Sequence, residues 1–521
     1  MPEKAWIKVI AEKELAERRP VLVKIDESDL LVVRSGGAFF ACSNKCSHYG
    51  GPLNEGLVVG SEVICPLHNA RFDMAGGALS SPPGVKDIPA FEVKTDRGDL
   101  YVREREPSAA PARAPKRGGP RVLVIGAGAA ADMAADTLRT GGFEGAITLL
   151  TREKGNPYDR PTLSKDLIAG EAKPEWLPLR DEAFYRERAI EILNERTVTA
   201  FDPRAKIATL ADGATVQADR VILASGAVPR KLAVAGSDLP GIYYLRSIED
   251  AQAIIEALTS ARTAVVIGSS FIGLEVASGL RARGLAVHVV APEKHPLVAV
   301  FGARIAERIR RLHEENGVQF HLETVPVAIE GARRAERVAL SNGEKIETDF
   351  VVVGIGALPA VDFLAGSGLL ANGAVPVNEH LETAYPGVYA AGDIAVVPNH
   401  YTGDLARIEH WVVAQRHGMH VAKEILGHSG PYLEPPFFWT MQYKSSFKFV
   451  GHTRGYYDMF YRGDPDAGPF AAGYYVKGRL AAVATLQRNR DVLVAGELLK
   501  AGRSLTPEEF VKTEDLDTFL A

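Results

Sequence analysis

Four residues near the N-terminus carry the strongest chemical signal in this 521-residue chain. Cys46-x-His48 and Cys65-x-x-His68 are separated by sixteen residues in the segment CSHYGGPLNEGLVVGSEVICPLHNARFD. Two thiolates on one iron and two imidazoles on the other make a mixed-ligand [2Fe–2S] cluster. The same four donors can also hold a tetrahedral zinc ion, and spacing alone does not separate the two. Gly50, Gly51, Pro52 and Pro66 suit tight turns, so two loops would grip the group from opposite sides. The third cysteine, Cys42, reads as a small half-buried residue with no assigned role. All three cysteines fall in one short segment of a long chain, which points to metal rather than disulfides.

A second set of residues suits dinucleotides. The strand RVLVIG runs into Gly126-x-Gly128-x-x-Ala131 and then a helical stretch. The first glycine allows the turn, the second lets a pyrophosphate approach the backbone, and the small third residue lets helix and strand pack closely. The next strand, AITLLT, ends at Arg152 and Glu153, and an acid there bonds a ribose, so Glu153 is the candidate. The pattern recurs in TAVVIGSSFIGLE with Gly268, Ser270 and Gly273. Serine at the middle position can still donate to a phosphate. The strand LAVHVV leads to Glu293, which suits the ribose diol of NADH; Lys294 and His295 would suit a 2′-phosphate, so NADP(H) stays open.

Elements must hold these residues in place. Before residue 105, short β-rich runs (VLVKI, LLVVR, FFACS, EVICP, FEVKT, DLYVR) predict a small all-β domain at 1–105. The stretch EPSAAPARAPKRGGP at 106–120 reads as a linker. Strands and helices then alternate, which predicts two doubly wound α/β Rossmann-like domains. Two dinucleotide folds in one chain suggest FAD plus a nicotinamide nucleotide, with the FAD-binding domain expected at 121–246 and 374–430 and the NAD(P)-binding domain at 247–373. From 431 to 521, SSFKFVGH, YDMFYRG, AAGYYVKG and LAAVATLQ read as antiparallel strands, with a hairpin turn at VKGRL and two short helices after them: an α+β C-terminal domain.

With these motifs in order, the chain resembles known families. The Cys/His segment is similar to Rieske ferredoxins and the Rieske domains of oxygenases. Respiratory Rieske proteins carry two further cysteines in a disulfide beside the cluster; here Gly51 and Leu67 stand in the matching region. The resemblance therefore implies a potential of about −150 mV rather than +300 mV. The blocks NPYDRPTLSK, VILASGAVPR, GSSFIGLE, VVVGIGALP and VYAAGDIA resemble the FAD-dependent pyridine-nucleotide reductases. Closest are the ferredoxin reductases of oxygenase systems and the apoptosis-inducing-factor group, whose Rieske-bearing members the whole chain resembles. PFFWTMQYKSSFKFVGH looks like their third, dimerisation-type domain, so a homodimer is possible. The resemblance implies that Arg160, Pro161 and Lys165 line the flavin, with Ala224, Gly226 and Asp393 also at FAD, and Gly356 at NAD(P). It implies that Glu275 pairs with Lys165 and faces the nicotinamide, making these two the catalytic pair. It puts Trp411 and Trp439 near the isoalloxazine, although core packing explains either tryptophan almost as well.

Together these readings predict an oxidoreductase that passes electrons from NAD(P)H through FAD and the cluster to an external acceptor: an oxygenase, a cytochrome or a small molecule. The linker would keep carrier and reductase at an effective concentration of about millimolar. A redox-sensing module that responds to NADH and an NAD(P)H oxidase are the alternatives. No cysteine occurs beyond Cys65, which excludes thiol–disulfide chemistry at the first βα turn. A mononuclear iron site is poorly served: His410, His417, His420 and Glu424 read as exposed helix residues. A net charge of −5 does not suggest a nucleic-acid partner. The charged first twenty residues show no signal peptide, and no run of about eighteen apolar residues predicts a membrane span, so a cytoplasmic location is expected.

Overall fold

The computed structural model describes residues 5–105, 118–428, 430–453, 455 and 457–520. Most of the stretch read as a linker lies outside these residues.

The N-terminal part is all β. Six antiparallel strands run in the order Ile7–Ala11, Asp99–Glu104, Ala90–Asp96, Ala38–Ser43, Ser28–Ser35, Val21–Ile25. Alternating apolar residues close one face of this sheet around Leu30, Val32, Ala41, Leu100 and Val102. A four-stranded meander (Leu57–Val59, Glu62–Ile64, Arg71–Asp73, Leu79–Ser81) is inserted between its fourth and fifth strands in the chain and carries the second Cys/His loop.

Two parallel sheets follow. The first has the order Ile190–Leu193, Ala146–Leu150, Arg121–Ile125, Arg220–Leu223, Val388–Ala390, so its last strand returns from far along the chain. The second has the order Ile242–Tyr244, Phe350–Val353, Thr263–Ile267, Ala286–Val290, Val318–His321. Val122–Ile125 and Ala264–Ile267 are buried along their length, as unbroken apolar strands covered on both faces must be. Each sheet is interrupted in the chain by a matching three-stranded antiparallel sheet, 198–217 and 326–347, so the internal repeat extends beyond the glycine turns. The C-terminal part is a five-stranded antiparallel sheet in the order Phe437–Gln442, Ser445–Gly451, Arg479–Leu486, Phe470–Val476, Asp458–Gly463, with helix Asn489–Lys500 against it.

The N-terminal domain does not hang from a tether. Leu57 and Ile64 share one apolar core with Val412, Phe437, Val450 and Leu493. Arg416 donates to Asn69 Oδ1 at 2.6 Å and to Ser81 Oγ at 3.2 Å. Lys448 Nζ donates to Pro66 O at 2.8 Å, and Arg490 to Gly56 O at 2.7 Å. Arg71 pairs with Glu497, and Tyr49 Oη donates to Asp159. The expectation of a carrier held near by chain length alone gives way to a docked domain, because buried charged groups of the other domains satisfy backbone carbonyls of its loops.

Candidate functional site

The two Cys/His loops meet. Cys46 and Cys65 are buried, and their sulfurs are hydrogen-bonded to each other. His48 Nδ1 and His68 Nδ1 lie 3.1 Å apart. Backbone N–H groups of His48 and Tyr49 point at the Cys46 sulfur, and those of Leu67 and His68 at the Cys65 sulfur. The Cys46 hydrogen bond pulls the Cys65 thiol down, helped by those two amides and by Lys448. Burial pushes both imidazoles down, His48 to about 3, so both are neutral and able to ligate. Sulfurs pair with sulfur and nitrogens with nitrogen, and no three potential ligands among the described residues surround a single ion point. The pairing of like donors suits split ligation of a two-iron cluster.

Gly51 has a role of its own. A Cβ there would sit 2.9 Å from Cys65 Sγ and 3.0 Å from Leu67 Cδ1. Gly51 and Leu67 thus face each other across the site, with no covalent bridge between the loops. Cys42 is fully buried rather than half-buried, and burial pushes its thiol up to about 12.

A cavity of about 810 Å³ lies between the parallel sheets and the C-terminal sheet. Gly126, Gly128, Glu153, Arg160, Pro161, Lys165, Ala224, Gly226, Ser270, Glu275, Gly356, Asp393, Trp411 and Trp439 all line it. Ala131 is buried in the first helix instead, and Gly268, Gly273 and Glu293 lie off the cavity wall. Gly126 has φ +124°, and a Cβ there would strike Ala224 O at 2.1 Å. Helix Ala129–Thr140 begins at Gly128 with no side-chain cap and open space beside it. Free N–H groups at an uncapped helix start facing a cavity suit the pyrophosphate of FAD. Glu153 faces the same cavity, held by Arg160 Nη2 at 2.8 Å and by Tyr158 Oη at 2.6 Å. Asp393 is paired with Arg246 at 3.0 Å.

The second glycine turn differs in one respect. Ser270 Oγ donates to Gly354 O at 2.7 Å and accepts from Gly273 N at 3.2 Å. Its single proton is committed to the protein, so the expected donation to a phosphate is not available; the serine caps its own helix instead. Glu293 accepts from Ser269 Oγ at 3.3 Å, and His295 is engaged by Glu307 at 3.0 Å.

Lys165 Nζ lies 3.0 Å from Glu275 Oε2. Glu275 also accepts from Ser164 Oγ and Thr440 Oγ1, each at 2.6 Å. Neither hydroxyl stands out in the sequence; Ser164 precedes the lysine, but Thr440 comes from another domain. Trp439 is the junction of the molecule. It lines the cavity, its ring is 4.2 Å from the His68 ring, and Lys165 Nζ lies 5.9 Å from its centroid. The histidines read as exposed are not: His410 lines the cavity, His417 is buried and accepts from Gly392 N at 3.2 Å, and His420 is half-buried beside Glu424. The helix packs inward along that face, and burial pushes His410 down to about 4 and His417 to about 3.

Fold and site define an FAD- and NAD(P)H-dependent oxidoreductase with a Rieske domain fused to it. Residues 120–418 match the pyridine nucleotide-disulphide oxidoreductase family, 5–92 the Rieske [2Fe-2S] domain, and 437–520 the reductase C-terminal domain. The chain belongs to the pyridine nucleotide-disulphide oxidoreductase family, as a ferredoxin-reductase-type member. It is 33% identical over 514 residues to apoptosis-inducing factor 3 of Homo sapiens, covering 95% of this chain and 84% of that protein. It is 35% identical over 401 residues to rhodocoxin reductase of Rhodococcus erythropolis, covering 77% and 94%. The crystal structure of the ferredoxin reductase for the CYP199A2 system from Rhodopseudomonas palustris superposes with a TM-score of 0.74 at 31% identity, covering 77% of this chain and all of that one. No helix among the described residues is long and apolar enough to cross a membrane.

Proposed function

We propose that this protein oxidises NADH and delivers the electrons, by way of FAD in the cavity and the [2Fe–2S] cluster, to an external one-electron acceptor. The observation that carries the reading is Trp439, which lines the flavin cavity on one side and meets the cluster ligand His68 at 4.2 Å on the other. FAD supplies two-electron uptake from the nicotinamide and one-electron release; the cluster supplies one-electron storage.

The side chains support the sequence of events. Lys165 and Glu275 form a fixed pair at the cavity wall, where they would orient the flavin edge toward the nicotinamide. Glu293 offers a carboxylate beyond the second glycine turn, and His295 is tied to Glu307, which favours NADH over NADPH. Buried Arg416 and Lys448 hold the His68 loop against the reductase, so transfer to the cluster needs no domain movement. Tyr49, half-exposed beside His48, marks the rim from which an acceptor would be reached. Relatives of this chain are named as reductases of rhodocoxin, ferredoxin and rubredoxin. Here the chain brings its own iron–sulfur domain, so the acceptor is one step further on: an oxygenase, a cytochrome or a small molecule.

Anaerobic rapid mixing with NADH tests the reading. Flavin absorbance should bleach first and cluster absorbance second, in one protein. Full flavin reduction with a cluster that stays oxidised would sink it.

A further inference from the structure

A chain of buried hydrogen bonds links the second nucleotide domain, through the C-terminal sheet, to the Lys165–Glu275 pair. Its members are His313 on helix Ala303–Glu315, Gln442 and Thr440 on strand Phe437–Gln442, and Glu275 on helix Phe271–Ala282. Thr440 and Gln442 share one face of their strand, as residues two apart do, while Trp439 points the other way to His68. One short strand therefore touches the hydride site and the cluster.

The polarity of the chain is set from its acidic end. Glu275, as a carboxylate, only accepts. Thr440 therefore gives its one proton to Glu275 Oε1, at 2.6 Å. Its oxygen must then accept, and Gln442 Nε2 donates to it at 2.8 Å. That orientation turns Gln442 Oε1 toward His313 Nε2, at 2.9 Å, so the histidine carries its proton on Nε2. Every donor points toward Glu275. Thr440 is 1% exposed, and Gln442 and His313 are fully buried, so no solvent competes. Ser164 and Lys165 both reach Glu275 Oε2, so among the described residues Thr440 is the donor that holds Oε1.

We propose that Thr440, backed by Gln442 and His313, is a positioning residue for hydride transfer: it fixes the rotation of the Glu275 carboxylate, and through it the place of Lys165 at the flavin edge. The inference rests on the reading of Lys165 and Glu275 as the pair that faces flavin and nicotinamide. Neither Gln442 nor His313 lines the cavity, so both act through Thr440.

The test uses the full-length protein with its flavin bound. Thr440→Val keeps the shape and deletes the hydroxyl; Thr440→Ser restores the hydroxyl; Gln442→Leu removes the support behind it. Three quantities are read: the limiting rate of flavin reduction by NADH, the NADH dissociation constant, and the visible band and midpoint potential of the bound flavin. Thr440→Val should slow flavin reduction about tenfold with NADH affinity held within about twofold. It should also shift the flavin band and potential, and Thr440→Ser should recover both rate and spectrum. Gln442→Leu should move the same readouts in the same direction by less. A Thr440→Val rate within about twofold of the parent, or a serine variant no better than valine, overturns the inference and leaves the parent reading standing. A parent protein whose flavin NADH does not reduce overturns the underlying reading, and this inference with it.

Discussion

Trp439 and His68 stand ring to ring at 4.2 Å, and among the described residues no other aromatic ring in contact with His68 also lines the cavity. The indole joins the cavity wall to the His68 ring. Trp439→Leu should slow cluster reduction by at least about tenfold, the equivalent of about 1.4 kcal/mol of barrier, and slow NADH-driven flavin reduction far less. Stopped-flow traces at flavin and cluster wavelengths separate the two steps.

The Lys165–Glu275 pair predicts the opposite split. Glu275, only 4% exposed, loses the charge opposite Lys165 but keeps its shape in Glu275→Gln. Flavin reduction by NADH should fall by about a hundredfold, the usual cost of losing one preorganised charged contact. Cluster reduction should then follow flavin reduction with no added lag, because the step from flavin to cluster is untouched.

Arg416 is a buried cation that reaches the loop of a cluster ligand, with Asn69 Oδ1 at 2.6 Å and Glu434 at 3.7 Å. Arg416→Ala strands the buried Asn69 amide oxygen, while Glu434 keeps Lys500, at a cost of about 2 kcal/mol. The loss should show first at the domain contact. Limited proteolysis should release the iron–sulfur domain from the variant well before the flavin domain is cut.

At Gly51 a methyl group would press on Cys65 Sγ from 2.9 Å. Gly51→Ala should lower cluster content or raise its loss rate while leaving FAD content unchanged, measured as the iron-to-flavin ratio. Gly50→Ala, one residue away with open space around it but φ +68°, should cost only backbone strain of about 1 kcal/mol and keep its iron.

Two buried histidines set a pH dependence. Burial holds His313 near about 4 and His417 near about 3, against an ordinary value near 6.5. Below pH 6.5 the unfolded chain binds protons that the folded chain refuses, so stability falls as pH falls. Each histidine contributes a slope of about 1.4 kcal/mol per pH unit from about 6.5 down to its folded value. The melting temperature should therefore drop steadily from pH 7 to pH 5; a flat profile would contradict the burial of these rings.

Much of this protein was legible as a string. Cys46, His48, Cys65 and His68, the two glycine turns and the change from strand-only to strand–helix alternation depend on local spacing, and local spacing survives folding. Backbone geometry at Gly126 and an uncapped helix at Gly128 follow from residues within a few positions of each other. What the tertiary structure alone decided is long-range. Ser270 gave up its proton to Gly354, eighty-four positions away, so a plausible phosphate donor became a helix cap. Thr440 met Glu275 across 165 positions, and Arg416 met Asn69 across 347. No pattern in the chain marks these partners, because a lone threonine or arginine carries no periodicity. Their pairing comes from the need to satisfy polar groups once apolar packing has excluded water. That Trp439 meets both the cavity and the His68 ring comes from how the domains dock, since nothing near it in sequence marks both contacts.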